Sequence, residues 1–196
     1  MANPGAPRGS EQRGRILLVY AQNHSKLISE ALVARLREHG FVVEVGDART
    51  GGMPPPEDYD GVVLGLPVGF GRDERLIAAY IHDNRRGLAR VPSALFTVSA
   101  SGSVHDIDPG GFFEQLVTGL DWSPDLAAAF AGGEPFPAEG LLVRVARELG
   151  YAPNTPSRDA LRTSWTDVRQ FADEIAQAVA TAAVTAERTQ PHVVDR

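Results

Sequence analysis

The chain contains no cysteine. That excludes disulfides, thiolate metal sites and a cysteine nucleophile, and it leaves the redox compartment open. No apolar run approaches the roughly 18 residues needed to span a bilayer. Lysine is almost absent: Lys26 is the only one, and the other basic residues are arginine. Positive charge is also short overall, with a formal net charge of -6. Such a balance argues against a nucleic-acid groove or an anionic membrane patch. Two signatures are missing as well. No Gly-x-Gly-x-x-Gly fingerprint marks a dinucleotide fold, and no Gly-x-Ser-x-Gly elbow marks a hydrolase. What remains is 196 residues with 43% hydrophobic and 22% charged content, enough for one globular domain with a sizeable core. The first residues are rich in Gly, Pro, Arg and Ser and have no apolar h-region, so 1–14 reads as a disordered leader rather than a signal peptide. The domain is expected over 15–187, a flexible tail over 188–196, and the location in the cytoplasm.

The opening strand, loop and helix carry the most information. Arg15-Ile16-Leu17-Leu18-Val19-Tyr20 is a near-continuous apolar run, the pattern of a strand buried on both faces of a parallel sheet. Ala21-Gln22-Asn23-His24-Ser25 is a small or polar loop. Leu27, Ile28, Ala31, Leu32 and Leu36 follow at helical spacing, and Gly40 stands where a left-handed cap belongs. Such a unit delivers free amides and the positive end of a helix dipole to one point, a natural anion site. The alternation continues with strands at Phe41–Val45, Gly61–Gly65, Pro92–Val98 and Leu126–Ala131. Helices are expected around Leu76–Ile81, Phe112–Leu120 and Leu141–Leu149. A final helix starts near Ser164, where Ser164-Trp165-Thr166-Asp167 is a capping box, and Val168, Phe171, Ile175 and Val179 form its buried stripe. Five strands alternating with helices imply an α/β fold with a five-stranded parallel sheet and helices on both faces. An irregular insertion, 132–163, follows strand five.

Three strand-end loops converge on one edge in this topology. They are Ala21–Ser25, Leu66–Arg72 and Ser99–Ser103. In the second, Gly69 and Gly71 bracket Phe70, which either forms a stacking wall for a ligand or packs down into the core. The third offers hydroxyls and amides, or is a plain polar turn. Lys26 either helps to hold an anion or reflects base composition. His105, Asp106 and Asp108 beside Pro109-Gly110 are explained by an acidic helix start, so no metal is expected. His39 and His82 fall near helix ends, where histidine is commonly structural.

The order of elements, the segment Val62-Val63-Leu64-Gly65-Leu66-Pro67-Val68-Gly69-Phe70-Gly71, the strand Val91-Pro92-Ser93-Ala94-Leu95-Phe96-Thr97-Val98 and the late Thr163-Ser164-Trp165 resemble the flavodoxin-like fold. More closely they resemble the flavodoxin-domain family that includes the menaquinone-dependent protoporphyrinogen oxidases. The resemblance implies an FMN-dependent oxidoreductase or electron-transfer flavoprotein. It implies phosphate binding by Gln22, Asn23, His24, Ser25 and Lys26. It places the isoalloxazine against Val68, Gly69, Phe70 and Gly71 on one side and Ser99, Ala100, Ser101 and Gly102 on the other. The implied partners are a quinone, a porphyrinogen or a redox protein. The chain departs from the family in two places. Its first loop is short and keeps one hydroxyl in register, Ser25, with Asn23 where a glycine is usual. Its second loop has Gly69 in place of the family's arginine. The alternative reading is a flavodoxin-fold binding or interaction module that has lost FMN.

Overall fold

The computed structural model describes residues 13–21, 23–68, 72–99, 119–131 and 164–189. Five parallel strands form one sheet: β1 (Arg15–Tyr20), β2 (Val42–Asp47), β3 (Gly61–Val68), β4 (Ser93–Ser99) and β5 (Leu126–Ala131). Their spatial order is β2-β1-β3-β4-β5. Three helices accompany them among the described residues: α1 (Asn23–Glu38), α2 (Arg72–Leu88) and α3 (Trp165–Thr189).

Side-chain alternation along the strands sorts the core into two layers. Ile16, Leu18, Val63, Ala94, Phe96 and Val98 pack with α1 and α3 on one face. Leu17, Val19, Val62, Leu64, Leu66 and Leu95 pack with α2 on the other. Helices therefore cover both faces, and β1 is apolar from Ile16 to Val19 because neither face meets water there. β2 lies at the edge, and its Val42 and Val45 are exposed.

The helix ends follow the sequence signals. Gly40 has φ 89°, with Gly40 N–H donating to Arg37 O at 2.9 Å and Phe41 N–H to Leu36 O at 3.3 Å. This is a Schellman cap. At the start of α3 the Asp167 amide donates to Ser164 Oγ at 3.3 Å. The stripe Val168, Phe171, Ile175 and Val179 is buried as expected. The helices expected at 112–120 and 141–149 and the insertion 132–163 lie wholly or almost wholly outside the described residues.

Several boundaries differ from expectation: α1 begins at Asn23, inside the segment expected as a loop, β2 spans Val42–Asp47 and β4 spans Ser93–Ser99. β3 runs three residues beyond Gly65, through Leu66-Pro67-Val68, because β4 continues beside it to Ser99. Proline is tolerated there for a geometric reason. Val62 N–H donates to Pro92 O on the β4 side, so alternate residues, Pro67 among them, face the β1 side. The last β1–β3 pair is Tyr20 with Gly65, so Pro67 stands where that ladder has ended. Leu27 also differs from expectation, being exposed rather than buried. The inward stripe of α1 is Ser25, Ile28, Ser29, Leu32 and Leu36, and Leu27 falls outside it.

α1 and α3 are also joined by charge. Arg35 Nε donates to Asp173 Oδ1 at 2.6 Å, and His39 Nε2 lies 2.6 Å from the same oxygen. Hydrogen bonds from Arg35 and then His39 pull the Asp173 carboxyl down to about 2. His39 is thus structural, as its place near a helix end suggested, whereas His82 is exposed on α2. A depressed carboxylate contributes stability above its unfolded pKa and loses it as pH falls through the folded one. Asp173→Asn is therefore expected to lower the melting temperature at pH 6. The gap to the unsubstituted protein should close as pH falls from about 4 to about 2. Thermal melts by circular dichroism across that range check it, and a gap independent of pH would refute the ion-pair account.

Candidate functional site at the carboxyl edge of the sheet

β1 stops at Tyr20, three pairs short of the end of β3. The ends of β3, β4 and β5 are level, because Val68 pairs with Ser99 and Ser99 with Ala131. The chain leaves β1 into α1 on one face and leaves β3 into α2 on the other. β1 and β3 are neighbours, so their carboxyl ends form a topological switch point, the place where open α/β sheets bind ligands.

α1 begins in that crevice. Asn23 and His24 are its first two residues, Ser25 the third and Lys26 the fourth. Its first four amides have no partner within the helix and point along the positive end of the dipole. α2 carries Asp73 and Glu74 in its first turn and α3 carries Asp167, whereas α1 has no acidic residue there.

The side chains divide sharply. Ser25 is fully buried, and its Oγ has no hydrogen-bond partner. An orphaned hydroxyl in the interior costs roughly 1–3 kcal/mol, so its retention calls for a reason. Lys26 is exposed, with Nζ 3.8 Å from Glu30 Oε1 one turn along. Its ammonium lies on the outer surface of α1 and adds a weak, solvent-screened charge to the crevice. Val68 and Ser99 are the last residues of their strands, where Val68 had been expected in a loop. The structure therefore brings the start of α1, Val68 and Ser99 to one edge. Gln22, Gly69, Phe70, Gly71, Ala100, Ser101 and Gly102 lie outside the described residues, as do His105, Asp106 and Asp108.

Ser29 is a polar residue the sequence reading passed over. It is buried, its Oγ is also without a partner, and it follows Ser25 by one helical turn. Its signal was available: a hydroxyl at i+4 from Ser25, inside the stripe of Ile28, Leu32 and Leu36. Next to the crevice, beyond β2, Arg49 is held by Asp47 with Nη2 2.6 Å from Oδ2. That pairing raises the Arg49 pKa and lowers that of Asp47. Among the described residues no three His, Asp or Glu side chains gather to hold a metal. A surface groove of about 680 Å³ lies at the opposite, amino edge, between Pro92, Asp125 and the α3 residues Glu174, Gln177 and Thr181.

The sequence profile of the flavodoxin domain family matches residues 18–134, from β1 past the end of β5. The chain belongs to the flavodoxin domain family. As a flavodoxin domain it is 23% identical over 177 residues to a protoporphyrinogen IX dehydrogenase [quinone] of Leishmania major, covering 85% of this chain and 77% of that protein. It is 21% identical over 168 residues to the protein of the same name from Escherichia coli K12, covering 82% and 93%. Among solved structures, the two-electron reduced flavodoxin of Megasphaera elsdenii superposes with a TM-score of 0.50 at 14% identity, covering 83% of this chain and 99% of that one. The flavodiiron protein of Giardia intestinalis gives 0.53 at 10% identity, covering 92% and 38%. These structural likenesses concern the flavodoxin fold. No described helix is long and apolar enough to cross a membrane.

Proposed function

We propose that this protein is an FMN-dependent oxidoreductase or electron-transfer flavoprotein, with the phosphate at the start of α1. The observation that carries the reading is Ser25: a fully buried hydroxyl without a partner, on the first turn of a helix that has no acidic residue of its own at that end. A phosphate supplies what both features lack, an acceptor for the hydroxyl and a negative charge for the dipole. The residues present therefore fit the group. The amides of Asn23 to Lys26 would bind the phosphate together with Ser25 Oγ. The loops after β3 and β4, with Phe70 and Ser99 to Gly102, would flank the ring system. When bound, the flavin supplies the redox chemistry. The chain's own part is to fix the ring at the switch point and to wall it from water. The two curated relatives motivate the substrate class, a porphyrinogen as electron donor and a quinone as acceptor.

The second reading is a flavodoxin-fold module that has lost FMN. It is favoured by the first loop, Tyr20-Ala21-Gln22-Asn23-His24-Ser25, which is short of hydroxyls. Uptake of FMN separates the two. The flavoprotein reading expects a yellow preparation, or quenching of flavin fluorescence on titration of colourless protein with FMN. Protein that is colourless and takes up no FMN at high micromolar concentration overturns it in favour of the module.

A further inference from the structure

The two orphaned hydroxyls of α1 stand one turn apart on its buried face. Elsewhere helical hydroxyls find an easy solution. Thr181 Oγ1 donates back to Gln177 O at 2.8 Å, and Thr185 Oγ1 to Thr181 O at 2.9 Å. Ser25 and Ser29 make no such bond, although Ser29 has the carbonyl of Ser25 four residues behind it. Side chains at this spacing have Cβ atoms about 5–6 Å apart, a gap that one water with a bond of about 2.8 Å to each oxygen would bridge. Burying two unsatisfied hydroxyls among Ile28, Leu32 and Leu36 is unfavourable, and alanine would avoid it.

We propose that Ser29 is a positioning residue for the phosphate site, acting through Ser25. This rests on the flavin reading above. When the phosphate binds, Ser29 turns to donate its proton to the Ser25 carbonyl. A bridging water donates one proton to Ser29 Oγ and one to Ser25 Oγ. Ser25 Oγ, its lone pair engaged from behind, points its own proton at the phosphate oxygen. Each hydroxyl then donates one bond and accepts one, and the chain of bonds polarises toward the anion. Ser29 thereby makes up part of what the hydroxyl-poor first loop lacks, from one turn deeper in the helix.

The test is Ser29→Ala, with Ser29→Thr as the variant that keeps the hydroxyl. FMN and riboflavin are titrated against each protein, because riboflavin lacks the phosphate. The expected result is about tenfold weaker FMN binding in Ser29→Ala, with riboflavin affinity unchanged within about twofold and FMN affinity recovered in Ser29→Thr. The flavin-free Ser29→Ala protein should melt no lower than the unsubstituted one, because it loses a buried hydroxyl that had no partner. FMN and riboflavin weakened together, or neither weakened, would overturn the role of Ser29 and leave the flavin reading standing. An unsubstituted protein that binds neither flavin would overturn both.

Discussion

Gly65→Ala is expected to destabilise the protein by about 1–3 kcal/mol, against the usual sign for a glycine in a strand interior. Gly65 is not among the glycines with positive φ, so its backbone suits any residue, and on local grounds alanine should help. The neighbour decides otherwise. A Cβ on Gly65 would stand 2.5 Å from Phe96 Cζ, with Phe96 Cε1 at 3.0 Å and Cε2 at 3.1 Å. Phe96 pairs across the ladder with Gly65 and lays its ring over it. That ring has little room to retreat. Phe96 is fully buried, and Phe130 lies beside it at a centroid distance of 6.2 Å. Phe171 closes the row edge-on to Phe130 at 5.9 Å. Equilibrium denaturation of Gly65→Ala, Phe96→Leu and the double variant reads the coupling. The alanine should cost at least about 1 kcal/mol less when Phe96 is leucine, which removes the ring it meets. Additive costs, or a stabilised Gly65→Ala, would refute the contact as the reason for this glycine.

Ser25→Ala should move stability and FMN affinity in opposite directions. A hydrogen bond to a charged group contributes about 1.5–3 kcal/mol, so FMN should bind roughly ten- to a hundredfold more weakly. Flavin-free protein should gain stability or keep it, since a buried hydroxyl without a partner is removed. Lys26→Ala provides the contrast. Its ammonium is more than half exposed and leans toward Glu30, so the expected loss is about twofold and shrinks with added salt. Titrations at low and moderate ionic strength, with thermal melts of the flavin-free proteins, check the pair. A Ser25→Ala protein with unchanged FMN affinity would show that the phosphate sits elsewhere.

Most of the architecture was legible because parallel strands buried on both faces leave uninterrupted apolar runs. β1 was readable for that reason, and the helix ends at Gly40 and Ser164 from their capping residues. β3 was read three residues short, ending at Gly65, and only the register with β4 shows that Leu66-Pro67-Val68 continue it past the last pair with β1. Leu27 was read as core because it fits helical spacing, yet the buried stripe of α1 passes through two serines instead. This is also why Ser29 was overlooked. A polar residue inside an apolar stripe has no local signature of function, and only burial without a partner singles it out. Of the candidate site, the anchor point at the start of α1 was legible from the strand–loop–helix order. The division of labour between Ser25 and Lys26 was not, since it depends on which way each side chain turns.

Every pairing in this sheet is parallel, with a consequence for how the protein assembles. No two neighbouring strands are joined by a hairpin, so no ladder can form by a short local closure. Each rung waits for a crossover to bring distant segments together, and that ordering entropy is spent before the apolar layers close. Formation of the native sheet is accordingly expected to be slow for a chain of this size. The β1–α1–β2 unit, with its Schellman turn already directing Phe41 and Val42 back toward Gly14, is the natural place for it to begin.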